Sequence, residues 1–317
     1  MGGGYYDRDV GLTSSGGFSF SNYTDSANQV FTGKLTADSD VLPVNRRVFC
    51  DKASPVVIAL DGTGSMGDDA KIIYDKLPMM YGQIMMQNYL KDPAISFSVI
   101  GDAYCDNSPI QICDFAQGSD LDMWMSRLWL EGGGGGQSRE SYELTAYYYL
   151  NNCDLENSER PFMFIIGDEN FYPTLERQFV IKHLGFDPEC DLDSKDIFKK
   201  LSRKFNLYHI HKGSIETSNA QIVKSWKEAL DNEHVIFLEE AKAIVDVMLG
   251  IIATVSMMRD IDKYLVDMKN RFQDDKRIAL VEKTLQALPS NTSAIVKFDD
   301  GLKKSALKSR KTGTKKL

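Results

Sequence analysis

The apolar run Val56-Val-Ile-Ala-Leu60 leads directly into Asp61-Gly62-Thr63-Gly64-Ser65-Met66-Gly67. A carboxylate and two hydroxyls at alternate positions, on a glycine-permitted loop just past a buried strand, can converge on one point above a sheet. Oxygen-only donors of this kind suit a hard cation such as Mg²⁺ or Mn²⁺. Their position fits as well, because open parallel sheets bind ligands outside the carboxyl ends of their strands.

Three other readings of the loop can be weighed on residue type. A phosphate-cradling P-loop requires G-x-x-x-x-G-K-[ST]; Gly62 and Gly67 have that spacing, but Asp68 and Asp69 follow where the lysine belongs and would repel phosphate. A haloacid-dehalogenase-type phosphatase requires D-x-D-G-T, and Ala59 stands at the position of the nucleophilic Asp. The third is a plain turn, for which Asp, Gly, Thr and Ser are ordinary residues.

The elements that must position this loop follow from periodicity. Apolar strand candidates are Val56–Leu60, Ile95–Ile100, Ile110–Cys113, Phe162–Ile166, Leu207–His211 and Val235–Leu238. Amphipathic runs lie between most of them, at about 69–90, 120–130, 138–151, 194–205 and 220–230. Strands separated by helices imply crossover connections and a mainly parallel sheet covered on both faces. The short connection between the second and third strands leaves no room for a helix, so the third strand is an antiparallel edge. The expected architecture is α/β, a doubly wound, mainly parallel six-stranded sheet with one antiparallel edge strand, an N-terminal arm and C-terminal helices. Pro78 predicts a kink in the first helix, and 239–269 and 274–288 read as two further helices. The divisions are a Gly/Ser/aromatic arm over 1–50, the α/β domain over 53–260, a helical extension over 261–288 and a basic, disordered tail over 289–317.

With these elements in place, Asp61-x-Thr63-x-Ser65 resembles the metal-ion-dependent adhesion site of von Willebrand factor type A (vWA) domains, whose usual form is D-x-[ST]-x-S. The resemblance covers about Ala53 to Met258. It implies a doubly wound sheet, a Thr ligand from a Gly-rich loop, and an Asp at the end of the next strand that reaches the metal through water. Asp168, in Gly167-Asp168-Glu169 after the strand Phe162–Ile166, takes the place of that second carboxylate. The Gly-rich loop is Glu131-Gly-Gly-Gly-Gly-Gly136-Gln137-Ser138-Arg139-Glu140, and it departs from the pattern because no Thr follows the glycines. Gln137 or Ser138 is the substitute ligand, while Glu140 would add a full negative charge and is expected to cap or brace the loop. Glu140, Asp102 and Glu169 are candidates for the rim, although loop acids such as Asp102 and Asp106 read first as solvated.

The segments GDAYCDNSPIQ (101–111), WLEGGGGGQSRESYEL (129–144) and IIGDE (165–169) make the chain similar to stand-alone bacterial and phage vWA-type proteins. That resemblance implies Mg²⁺, with Mn²⁺ or Ca²⁺ as alternatives, held with one coordination position open for an Asp or Glu of a protein partner, and no catalytic turnover. Two other readings stay open. One is a phosphoryl-transfer or hydrolytic enzyme drawing on Asp68, Asp69, Asp102 and Glu169 as further carboxylates; the other is a nucleic-acid-associated adaptor.

The last reading rests on charge. The chain has 317 residues and a net charge of −8, but Lys303, Lys304, Lys308, Arg310, Lys311, Lys315 and Lys316 crowd its last stretch, which has no acid. The preceding residues are strongly acidic, so only the tail offers phosphate-neutralising charge. Five cysteines without a C-x-x-C pair suggest neither a disulfide framework nor a zinc knuckle. The longest apolar run, Ala243 to Met258, contains Asp246 and is shorter than the roughly 20 residues of a membrane span. The start Met1 to Tyr6 has no signal-peptide character, from which a cytoplasmic location is expected. His209 and His211 share a strand face and read as packed side chains rather than ligands.

Overall fold

The computed structural model describes residues 36–130, 138–159, 161–214, 216–286 and 288. Gln137 and the basic tail lie outside them, as does most of the N-terminal arm. The central sheet has six strands: β1 (Ser54–Asp61), β2 (Pro93–Ile100), β3 (Ile110–Ile112), β4 (Phe162–Gly167), β5 (Asn206–Lys212) and β6 (Val235–Leu238). Their order is β6-β5-β4-β1-β2-β3, with every pair parallel except β2 and β3. The antiparallel edge follows from the short connection after Ile100, which leaves no length for a crossover.

Helices cover both faces: α1 (Asp68–Lys76), α2 (Pro78–Gln87), α3 (Asp120–Met125), α4 (Tyr142–Asn151), α5 (Arg177–Leu184), α6 (Ser194–Leu201), α7 (Ala220–Leu230), α8 (Ile244–Val255), α9 (Ile261–Asn270) and α10 (Asp275–Leu285). Strand alternation divides the interior into two cores. Val56, Ile58 and Leu60 of β1, with Phe162, Phe164 and Ile166 of β4, pack under α1, α2 and α8 to α10. Val57, Ala59, Met163 and Ile165 face α4 to α7. Burial on both faces explains why these strands read as continuous apolar runs. Asp61 continues the side of Val57 and Ala59, which turns its carboxyl toward the start of α4.

Several boundaries differ from the periodicity. The first amphipathic run is two helices, because Pro78 starts α2 as its first residue, where its missing N–H would be unsatisfied anyway. The run at 138–151 begins as a strand: Arg139–Glu140 pairs in parallel with Asn170–Phe171, and the helix starts only at Tyr142. The runs at 120–130 and 194–205 end early, at Met125 and Leu201. The expected long helix over 239–269 is α8 and α9, separated at Met257, whose φ of 59° cannot continue a helix.

The C-terminal helices belong to the main core. Tyr264, Met268, Ile278, Val281 and Leu285 are buried with the residues of α8. Asp246 in α8 is 1% exposed and lies 3.5 Å from both Arg271 and Arg277, so one buried carboxylate ties the two last helices to the sheet-covering layer. Among the described residues no helix is long and apolar enough to cross a membrane. Val48–Cys50, within the expected arm, pairs in parallel with Cys153–Leu155.

Candidate metal centre

The strand order reverses between β1 and β4: the chain steps from β1 to β2 on one side and places β4 and β5 on the other. Such a switch point opens a crevice at the carboxyl ends of the strands. Asp61 ends β1, Asp168 follows β4 and Lys212 ends β5. Parallel register sets these ends side by side, with Leu60 opposite Ile166 and His211 opposite Gly167.

The loop after β1 bends because Gly62 fits where a side chain would strike Val99 at 2.7 Å and Leu130 at 3.0 Å. Its backbone N–H donates to Ile100 O at 2.9 Å. The Thr63 hydroxyl donates to Asp61 Oδ1 at 2.5 Å and the Thr63 backbone N–H donates to the same oxygen at 2.9 Å. Thr63 Oγ1 and Ser65 Oγ lie 3.1 Å apart, and the Ser65 hydroxyl donates to Asp168 Oδ1 at 2.9 Å. The structure thus brings Asp61, Thr63, Ser65 and Asp168 into one connected chain of oxygens.

Tyr142, the first residue of α4, donates its hydroxyl to Asp61 Oδ2. Gly167 makes that approach possible, since a Cβ there would collide with the Tyr142 hydroxyl. Asp61 is fully buried, and burial pushes its carboxyl up to about 6 despite the hydrogen bonds from Thr63 and Tyr142. Lys212 approaches from the other side: its Nζ donates to Ser65 O at 3.2 Å and Met66 O at 3.0 Å, and lies 3.6 Å from Asp168 Oδ2 and from Asp69 Oδ2.

The remaining candidates separate clearly. Ser138 is exposed. Glu140 is 4% exposed, and its Oε2 has no hydrogen-bond partner. Burial raises its carboxyl to about 9, reinforced by Asp61, Asp102 and Asp106, while the Thr63 hydroxyl opposes the shift. Asp102 and Asp106 are buried rather than solvated: Asp102 accepts from Tyr172 OH at 3.1 Å and Tyr104 N at 3.0 Å, and Asp106 Oδ2 accepts from Asp102 N at 2.7 Å. They are buried because the turn after β2 folds back on itself and the start of α4 docks on it, with Ser141 N donating to Gly101 O at 3.0 Å. Glu169 is half-buried, and Trp226 Nε1 donates to its carbonyl at 3.0 Å.

The histidines are packed side chains. His209 stacks on Trp226 with ring centroids 3.8 Å apart, and its Nε2 lies 3.3 Å from His211 Nδ1. Burial holds the His211 imidazole down at about 4, so it is neutral at physiological pH. Tyr142 and Lys212 were missed by sequence reasoning. Strand order would have pointed to Lys212, because it ends the strand beside the one leading to Asp168. Tyr142 carries no such signal within an aromatic-rich helix.

Carboxylates and hydroxyls around an acid-rich crevice are the donor types a hard divalent cation takes, and the orphaned Glu140 oxygen adds negative charge without a matching cation. Among the described residues no three His, Cys, Asp or Glu side chains gather as a metal-binding group, in keeping with a set in which hydroxyls supply half the donors.

The chain matches no family model and no curated protein. Among solved structures it is similar to the pilus adhesin SpaC from Lactobacillus rhamnosus GG, at TM-score 0.44 and 9% identity over 68% of this chain and 33% of that one. A second is proximal thread matrix protein 1 of the mussel byssus, at TM-score 0.39 and 9% identity over 66% of this chain and 47% of that one. The chain spans about a third of the adhesin and about half of the mussel protein. Similarity at this level assigns neither family nor function.

Proposed function

We propose that this chain is a metal-dependent protein-binding module of vWA type, with Asp61, Thr63, Ser65 and Asp168 holding Mg²⁺, or Mn²⁺ or Ca²⁺ in its place. The observation that supports this most is the continuous oxygen chain from Asp61 through Thr63 and Ser65 to Asp168, set at the sheet's switch point. The bound cation would supply a Lewis-acidic centre with a position open for a carboxylate oxygen of a partner's Asp or Glu. Tyr142 fixes one oxygen of Asp61 and Thr63 the other, so the carboxylate is held in one orientation. Lys212 tethers the far side of the loop through the carbonyls of Ser65 and Met66. With Asp61 buried, its charge is unfavourable without a cation and favourable with one.

The test is affinity capture on immobilised wild type and Asp61→Ala, each in Mg²⁺ and in chelator, with the captured partner then purified and its binding measured directly. Binding that needs both Mg²⁺ and Asp61 supports the reading. Capture that is indifferent to chelator and to the substitution contradicts it.

A further inference from the structure

The acidic side of the crevice contains one group that the oxygen chain leaves unexplained. Glu140 is fixed from two directions: the short strand Arg139–Glu140 pairs with Asn170–Phe171, and the next residue, Ser141, is bonded to the turn after β2 through its N–H to Gly101 O at 3.0 Å and through its Oγ from Ala103 N at 2.8 Å. Its backbone is thereby locked next to the two residues that follow Glu169. Its side chain is almost fully buried and lies in the field of Asp61, Asp102 and Asp106, with the Thr63 hydroxyl as a hydrogen-bonding neighbour. Oε2 is left without any partner.

A buried carboxyl surrounded by carboxylates is an unfavourable arrangement for its own sake, because desolvation and like charge both oppose ionisation. Asp102 and Asp106 are braced by donors from their own turn and by Tyr172. Glu140 has no such set of donors. The nearest cationic side chain of the centre, Lys212, is bonded across the loop on the Asp168 side. What the surroundings of Glu140 lack is a positive charge near Thr63 and Asp61.

We propose that Glu140 is the third carboxylate of the cation site, acting on the ion directly or through one bound water, in the place where the vWA pattern has a neutral Thr. The inference rests on the metal-binding reading above and deepens it. Two carboxylates neutralise a divalent ion; a third leaves the loaded centre with one net negative charge. The chain therefore holds its cation more tightly than the two-carboxylate pattern and is a poorer acceptor of a partner's Asp or Glu unless Glu140 withdraws. Glu140 then sets how strongly a partner's carboxylate is bound, and neutral oxygen donors gain relative to it.

The experiment is calorimetric titration of the full chain with Mn²⁺, comparing wild type, Glu140→Gln, Glu140→Asp, Ser138→Ala and Asp61→Ala. Glu140→Gln is expected to weaken Mn²⁺ binding by about 10- to 100-fold, the range seen when groups supporting a metal shell are removed. Glu140→Asp is expected to recover part of the loss, and Ser138→Ala to leave affinity unchanged. Thermal melts in chelator accompany the titrations, and a Glu140→Gln variant at least as stable as wild type assigns the weakened binding to the lost carboxylate. Unchanged affinity in Glu140→Gln together with lost affinity in Asp61→Ala overturns the role of Glu140 and leaves the site itself standing. Unchanged affinity in both overturns the site as well.

Discussion

Replacing Glu140 by Gln should stabilise the metal-free protein, and by an amount that depends on pH. In the unfolded chain a Glu ionises near its ordinary value of 4.5, whereas the folded protein keeps this proton until about 9. The folded state therefore binds more protons than the unfolded state between those limits, and stability falls as pH rises through the interval. Below 4.5 the two states are alike and no loss exists. Each unit of difference is about 1.36 kcal/mol, so at pH 8 the wild type forfeits at most about 5 kcal/mol, and at pH 5 less than about 1 kcal/mol. Gln has the same shape and does not titrate; its amide can donate toward the surrounding carboxylates. Local relaxation reduces the full value, which leaves an expected advantage for Glu140→Gln of on the order of 2–5 kcal/mol at pH 8 and close to none at pH 5. Urea unfolding in chelator at both pH values, on both proteins, measures it. A difference of the same size at pH 5 and pH 8, or a variant less stable than wild type at pH 8, refutes the burial and like-charge reasoning.

Other substitutions probe the supports of the site and the fold. Gly167→Ala puts a methyl group against the Tyr142 hydroxyl; it should lower stability by about 1–3 kcal/mol in chemical denaturation. Lys204 donates its ammonium to the carbonyls of Tyr149 and Leu150 at 2.7 and 3.0 Å and to that of Cys153. Lys204→Met should cost about 2–4 kcal/mol by urea unfolding, because these carbonyls at the end of α4 lose a charged donor. Asp246→Ala removes the carboxylate beside Arg271 and Arg277, and should cost about 3–5 kcal/mol by leaving buried positive charge uncompensated; hydrogen exchange should rise first in α9 and α10.

The six strands and their single antiparallel edge were legible because buried parallel strands are continuous apolar runs, and because the short step from Ile100 to Ile110 admits no crossover. Asp61, Thr63 and Ser65 were legible as a spacing, and Asp168 as the residue after the neighbouring strand. Glu140 was misjudged as a loop brace: its two-residue strand has no period to reveal it, and only the pairing with Asn170–Phe171 shows how its side chain is held beside Thr63. Asp102 and Asp106 read as solvated because acids after a strand usually are, whereas here their turn is covered by Ser141 and Tyr172. The break at Met257 was hidden for a related reason, since an apolar run continues through a left-handed residue without any change of composition.

The central claim is that Asp61 anchors a divalent cation. Isothermal titration of the chelator-treated full chain with Mg²⁺, wild type against Asp61→Ala, tests it most directly. The account predicts one saturable site in wild type, with affinity lower by at least about tenfold in Asp61→Ala. Equal affinity in the two proteins, or no saturable binding in wild type, would contradict it.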